Sequence, residues 1–204
     1  MEAVAVLNAI FFIAAGFASG SVLYSVYLPK LIKGVDVTLT SADKNPGAYN
    51  AFVFGGVSVG IICLALDILK GFLPVLLAKS VIQSNSIAFA VILIAPVAGH
   101  AFSPLRRFHG GKGISVSFGV LLALLPEQLL VFVLAGVYLI SLIMPLHINE
   151  RRTIAAFTTF ALVTMLMNST ASIKFGCFLI ALLVNYKNWR DANITIPFWN
   201  QRRE

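Results

Sequence analysis

Charge is what this sequence has least of. Asp, Glu, Lys and Arg make up 11% of its 204 residues, against 59% hydrophobic, and its mean hydropathy is +0.92. Soluble domains carry roughly a quarter charged residues, so that class is excluded and a polytopic membrane protein is indicated. Cysteine is scarce too. Cys63 and Cys177 lie far apart inside apolar runs, neither beside a His or carboxylate at ligand spacing, and read as buried structural thiols. His100, His109 and His147 also lack carboxylates at ligand spacing, so no metal or other cofactor is expected. No basic n-region precedes the first apolar stretch, about residues 3–28, which therefore reads as a retained span rather than a cleaved signal. With no internal repeat and no low-complexity segment, the chain reads as a single domain over residues 1–204.

The charge that is present is basic, with a formal net charge of +7, and its placement matters more than its sum. Twelve of the fifteen basic residues fall in four polar segments: Lys30, Lys33 and Lys44; Arg106, Arg107 and Lys112; Arg151 and Arg152; and Lys187, Arg190, Arg202 and Arg203. Membrane topology explains this clustering better than nucleic-acid binding, and the positive-inside rule places all four segments in the cytoplasm.

That assignment fixes a layout by parity. Segment 3–29 crosses and ends inside, so the N-terminus lies outside. Loops 30–50 and 106–112 are both inside, so an even number of crossings separates them, yet three apolar segments occupy the interval. The short, glycine-rich segment 51–66 is the one expected not to cross, as a re-entrant element. Residues 67–81 and 87–105 then cross. Hairpins follow over 114–144, broken near Pro126-Glu127-Gln128, and over 153–186, turning at Asn168-Ser169-Thr170. The expected fold is all-α and polytopic, with about seven transmembrane helices and its polar loops at the cytoplasmic face.

Three clusters carry chemistry. The stretch Gly99–Gly113 packs four Gly, two His, two Arg and one Lys between apolar runs. Glycine amides, Lys112 and the N-terminus of the helix expected from Ile114 together make an anion site, most naturally for phosphate. Gly110-Gly111-Lys112-Gly113 resembles half a nucleotide-binding P-loop, but no Ser or Thr follows the lysine and the leading glycine is missing, so nucleotide binding is not expected. A tight glycine turn with a positive-inside lysine is the plainer alternative. Asp67 and Lys70 lie three apart on a helix, as a self-neutralising ion pair or as a pair that orients and balances phosphate. Asn45 and Asn50 are turn residues or amide ligands, and Ser21, after Ser19 and Gly20, either permits close helix packing or lines a site.

Taken together, these loops resemble the membrane acyl-phosphate:glycerol-3-phosphate acyltransferases of bacteria, the PlsY type, almost end to end. The family's Ser-Gly-Asn-x-Gly-Ala-Thr-Asn loop is matched by Asn45-Pro46-Gly47-Ala48-Tyr49-Asn50. Its Asp-x-x-Lys-Gly-x-x-Pro-Val helix start is matched by Asp67, Lys70, Gly71, Pro74 and Val75. Its Gly-His-x-Phe and Phe-x-Gly-Gly-Lys-Gly loop is matched by Gly99, His100, Phe102, Phe108, Gly110, Gly111, Lys112 and Gly113. The chain departs from the pattern where Val53 replaces an arginine, Asp43 a serine, Tyr49 a threonine, Ile114-Ser115-Val116 a Val-Ala-Thr, and Asn188 a histidine.

The resemblance implies transfer of a fatty acyl group from acyl phosphate to the 1-hydroxyl of glycerol 3-phosphate, giving lysophosphatidate in a bacterial cytoplasmic membrane, with membrane lipid around it and no nucleic-acid partner. It implies Lys112, His100 and Asn45 as catalytic residues. It implies Ser21, Gly47, Asn50, Asp67, Lys70, Gly110, Gly111, Gly113, Ser115, Asn188 and Arg190 as substrate-binding residues. Lys112 and the loop amides would hold the acyl phosphate, Asn45, Asn50 and Lys70 would place glycerol 3-phosphate, and His100 would orient the loop. Two other readings stay open here: a non-catalytic relative that binds lipid or an anionic metabolite, and a small-anion transporter. Polar residues gathered at one membrane face count against the transporter.

Overall fold

Long apolar runs in this chain bury their backbone polarity in helices, and a computed structural model places ten α-helices and no strand among the residues it describes, 2–144 and 148–195, with side chains up to Arg190. His147 and the Arg202-Arg203 pair, used above for topology, lie outside the described residues, as does the side chain of Asp191. The helices are α1 (Glu2–Ser21), α2 (Tyr24–Lys33), α3 (Val37–Thr40), α4 (Ala48–Gly55), α5 (Val57–Lys79), α6 (Ile87–Ala101), α7 (Ile114–Leu122), α8 (Leu130–Ile143), α9 (Asn149–Leu166) and α10 (Ala171–Thr195). Three stretches are long and apolar enough to cross a membrane: Glu2–Lys33, Val57–Lys79 and Ile87–Arg106. The turns at 123–129 and 167–170 fall where the sequence places them.

The core lies between α6, α7, α9 and α10, where Phe89, Leu93, Val97, Leu121, Leu124, Phe157, Phe160 and Ile180 are fully or almost fully buried. The outward residues are apolar as well, among them Leu7, Ile10 and Phe11 on α1, Leu139 and Ile140 on α8, and Phe178 and Leu182 on α10. A bundle apolar on both sides is solvated by lipid. Cys63 and Cys177 are free and buried, as expected.

Close helix crossings depend on glycine. A Cβ on Gly20 would strike the Pro96 carbonyl, and one on Gly99 the Phe17 carbonyl, so α1 and α6 meet backbone to backbone. Gly71 and Gly119 do the same for α5 and α7.

Three expectations are corrected. First, residues 51–66 are not one re-entrant segment. The short element is α4, whose eight residues span about 12 Å, less than half the hydrocarbon core. Residues 57–66 belong to α5, which runs unbroken through Asp67, so Asp67 and Lys70 sit mid-helix rather than at a helix start. The glycines had two different causes: Gly56, at φ +88°, makes the corner between α4 and α5, whereas Gly60 makes room for the Phe52 ring.

Second, the first span is interrupted at Val22-Leu23, between α1 and α2. The freed carbonyls find side chains from other helices: Ser103 Oγ donates to Ser21 O at 2.6 Å and Lys70 Nζ to Val22 O at 2.6 Å. Backbone at membrane depth tolerates a break only when it is satisfied in this way. Third, α10 continues as helix through Lys187 and Arg190, where a tail was expected.

Candidate active site

At one end of the bundle three elements converge: the loop before α4, the C-terminus of α6 with its glycine loop, and the N-terminus of α7. Each is built by short-range chemistry. In the first loop, Asp43 Oδ1 accepts from the Asn45 N–H at 3.2 Å and from Asn50 Nδ2 at 2.8 Å. Asn50 Nδ2 also donates to Asn45 O at 2.8 Å, so Asn50 is buried as the brace of this turn. Asp43 titrates below its ordinary 3.8. Burial pushes it up, but the Asn50 amide, the Asn45 N–H and nearby Lys112 together outweigh that.

The glycine loop corrects another expectation. The Gly110 and Gly111 amides are not open to a ligand: they donate to Ala101 O at 3.2 Å and His100 O at 3.1 Å, closing the C-terminus of α6. Both positions need glycine because a Cβ would meet the His100 carbonyl at Gly110 and the His100 ring at Gly111. Lys187, reaching in from α10, donates to Ala101 O at 3.0 Å and Gly110 O at 3.1 Å. What remains for an anion is the N-terminus of α7. Gly113, at φ +82°, turns the chain into that helix, whose first intrahelical bond is Ser117 N to Gly113 O at 3.0 Å. The amides of Ile114, Ser115 and Val116 are thus the orphan donors of this helix end.

Lys112 stands beside them, its ammonium 2.8 Å from Glu150 Oε1 and 3.3 Å from Asp43 Oδ2. His100 is held from below. Lys70 Nζ has three short contacts: Val22 O at 2.6 Å, Asp67 Oδ1 at 2.7 Å and His100 Nδ1 at 2.9 Å. An ammonium has three N–H bonds and no lone pair, so these contacts use all its donors and Nδ1 must accept. The ring proton therefore sits on Nε2, the nitrogen that faces Gly111. Asp67 Oδ2 accepts from Ser25 Oγ at 3.2 Å, completing a polar cluster with every member buried.

A cavity of about 290 Å³ opens among these groups, lined by Asn45, Gly47, His100, Lys112, Gly113 and Ser115 on its polar side and by Phe52, Leu64 and Tyr138 on its apolar side. Asp67 also reaches its wall. Other expected site residues stand back. Lys70 spends its donors on protein, and Ser21 Oγ turns back to Phe17 O at 2.7 Å. Buried Asn188 donates to Val184 O at 2.8 Å. Arg190 lines a second, neighbouring cavity. Val53, where the resembled pattern has arginine, is exposed on α4.

The profile of one family, Glycerol-3-phosphate acyltransferase, matches residues 10–195. The chain belongs to the glycerol-3-phosphate acyltransferase family. A relative from Hydrogenobaculum is 30% identical over 85% of this chain and 86% of its own. Another, glycerol-3-phosphate acyltransferase 2 of Thermotoga maritima, is 38% identical, and the match spans 62% of this chain and 64% of that protein. The fold matches the crystal structure of PlsY, an integral membrane glycerol 3-phosphate acyltransferase, in its glycerol 3-phosphate form. The TM-score is 0.80 at 27% identity, over 91% of this chain and 90% of that one. The acyltransferase family thus accounts for the all-helical membrane fold.

Within this acyltransferase fold, sequence reasoning missed several groups. Glu150 was visible as an acid beside Arg151-Arg152, but nothing local tied it to Lys112, 38 positions away. Lys187 read as one more basic residue of a tail, whereas its side chain is fully buried against the Phe102 ring and the glycine loop. Ser25 and Ser103 gave no signal, because their partners are backbone and carboxylate groups of distant helices.

Proposed function

We propose that this chain transfers a fatty acyl group from acyl phosphate to the 1-hydroxyl of glycerol 3-phosphate, yielding lysophosphatidate and inorganic phosphate for phospholipid synthesis in a bacterial cytoplasmic membrane. The observation that carries this is the pairing, in one cavity, of Lys112 and the α7 N-terminus with a neutral His100 and an apolar wall at Phe52, Leu64 and Tyr138. The cation and the orphan amides suit the phosphate of the donor, and the apolar wall suits the start of its acyl chain.

An acyl phosphate is a mixed anhydride with a good leaving group, so no covalent enzyme intermediate is needed. The hydroxyl oxygen of the acceptor attacks the acyl carbonyl carbon, the bond from that carbon to the phosphate oxygen breaks, and the electron pair leaves with phosphate. The hydroxyl proton passes to a phosphate oxygen. Proximity and fixed donors supply the acceleration. His100 Nε2–H is the donor for the developing carbonyl oxyanion, held in that tautomer by Lys70. Asn45 and Gly47 form the acceptor side. Ser21, Asn50, Asp67, Lys70 and Asn188 position other groups rather than touch substrate. The same reading takes residues 1–204 as one domain with seven crossings, its N-terminus outside and this cavity at the cytoplasmic face.

The test is acyl transfer by purified protein from palmitoyl phosphate to glycerol 3-phosphate. Lysophosphatidate formation should fall at least 100-fold in Lys112→Ala, since charge-assisted contacts to a transferring group are worth roughly 3 kcal/mol or more. No product above that of Lys112→Ala would sink the acyl-transfer reading in favour of a binding protein.

A further inference from the structure

The active-site cavity has a larger neighbour. A cavity of about 570 Å³ lies on the other side of Asn45, a residue that lines both, and is walled by Thr38, Asp43, Lys44, Arg106, His109 and Arg190. Its size falls within the roughly 300–1,000 Å³ of small-molecule sites. Three cationic side chains from three separate elements meet there: Lys44 from the loop before α4, Arg106 from the turn after α6, and Arg190 from α10. Among the lining residues Asp43 is the only carboxylate, and its Oδ2 already faces Lys112 at 3.3 Å.

The wall is built rather than incidental. Thr38 Oγ1 is donated to by Arg106 at 3.1 Å, and Thr38 in turn donates to Asp36 Oδ1. Asp36, at the N-cap of α3, titrates below its ordinary 3.8, mainly because of the Thr38 hydroxyl, with Arg106 and Lys30 contributing charge. Lys44 is held at φ +51°, a conformation uncommon for a residue with a side chain and set by the Asp43–Asn50 turn.

We infer that this cavity is the subsite for the phosphate group of the acceptor, with Arg106 and Arg190 as the residues that select a phosphorylated over an unphosphorylated polyol. The inference rests on the acyl-transfer reading. Arginine presents a planar fork to a phosphomonoester, which a lone lysine does not. The two cavities touch at Asn45 and at the Asp43–Lys112 contact, so a three-carbon phosphate anchored on Arg106 extends its far hydroxyl toward the donor site beside Lys112. The position that is Val53 here contributes no cation, and these arginines supply the charge instead.

The experiment has two arms on the full chain in lipid nanodiscs: calorimetric binding of glycerol 3-phosphate and of inorganic phosphate, and steady-state turnover with palmitoyl phosphate. Arg106→Gln and Arg190→Gln should each weaken glycerol 3-phosphate binding and raise its KM at least tenfold, with the KM for palmitoyl phosphate within twofold. Arg106→Lys should recover part of the loss. The preference for glycerol 3-phosphate over glycerol should shrink by the same factor. Thr38→Val removes the hydrogen bond to Arg106 but keeps its charge, and should leave binding within threefold. An equal loss in Thr38→Val would make the effect one of loop folding and overturn the inference, as would unchanged binding in both arginine variants. Inorganic phosphate that binds as tightly as glycerol 3-phosphate without competing in turnover would mark a free-phosphate site, and also overturn it. Arginine-dependent binding of glycerol 3-phosphate without any turnover would instead sink acyl transfer alone.

Discussion

Lys70 shows how much one side chain holds together. Its ammonium joins the interrupted first span, a carboxylate on its own helix and the ring that faces the donor cavity. Replacing it with methionine leaves Asp67 buried without its cation and Val22 O without a donor. Breaking one partner of a buried pair costs about 3–5 kcal/mol, whereas removing both charges is often close to neutral. Lys70→Met should therefore lower the thermal unfolding midpoint in nanodiscs markedly, and Asp67→Asn combined with Lys70→Met should recover much of that loss. A Lys70→Met protein as heat-resistant as the parent would show the ammonium to be dispensable. Half of this arrangement was legible. The three-residue spacing announces an ion pair between Asp67 and Lys70. Nothing near them announces a helix break 48 residues earlier, because the break is stabilised by tertiary contacts rather than by a local Gly or Pro.

The loop before α4 works as a unit, and its pH response follows from Asp43. A carboxyl whose folded pKa lies below its unfolded value contributes stability that is complete above the unfolded pKa and is lost as pH falls through the folded one. With the ordinary value at 3.8 and the folded one lower, the loop should keep its full bracing across neutral and mildly acid pH and lose it only below about pH 4. Amide protection factors for Asn45 and Asn50 should stay flat from neutral pH down to that point and then decline, and Asp43→Asn should abolish the decline. A drop centred near pH 6 would assign the bracing to some other group. The glycine loop teaches a complementary lesson. Its glycines were correctly read as obligatory, but for Gly110 and Gly111 the cause is contact with His100 rather than presentation of amides. Sequence shows where a Cβ is forbidden more readily than what would collide with it.

At the scale of the whole bundle, composition alone excluded a soluble fold, and parity correctly demanded one short, non-crossing segment. It misplaced that segment because Gly55, Gly56 and Gly60 look alike in one dimension. Seven crossings make a direct prediction for single cysteines labelled by a membrane-impermeant maleimide. Positions 44, 107 and 189, at exposed Lys44, Arg107 and Trp189, should react from one side. Exposed Gln83 and Glu127 should react from the other. Buried Cys63 and Cys177 keep the background low. Any exchange of sides between the two groups would discard the layout.

The break at Val22-Leu23 also bears on how the protein is made. The first span leaves the ribosome before the groups that will satisfy its open carbonyls exist. At roughly 5–20 residues per second, the 48 residues between Val22 and Lys70 take about 2–10 s to synthesise, and Ser103 arrives later still. Until then the nascent segment must remain continuous helix or stay in contact with water or the insertion machinery. The interruption is thus acquired on assembly, when α5 and α6 arrive beside it.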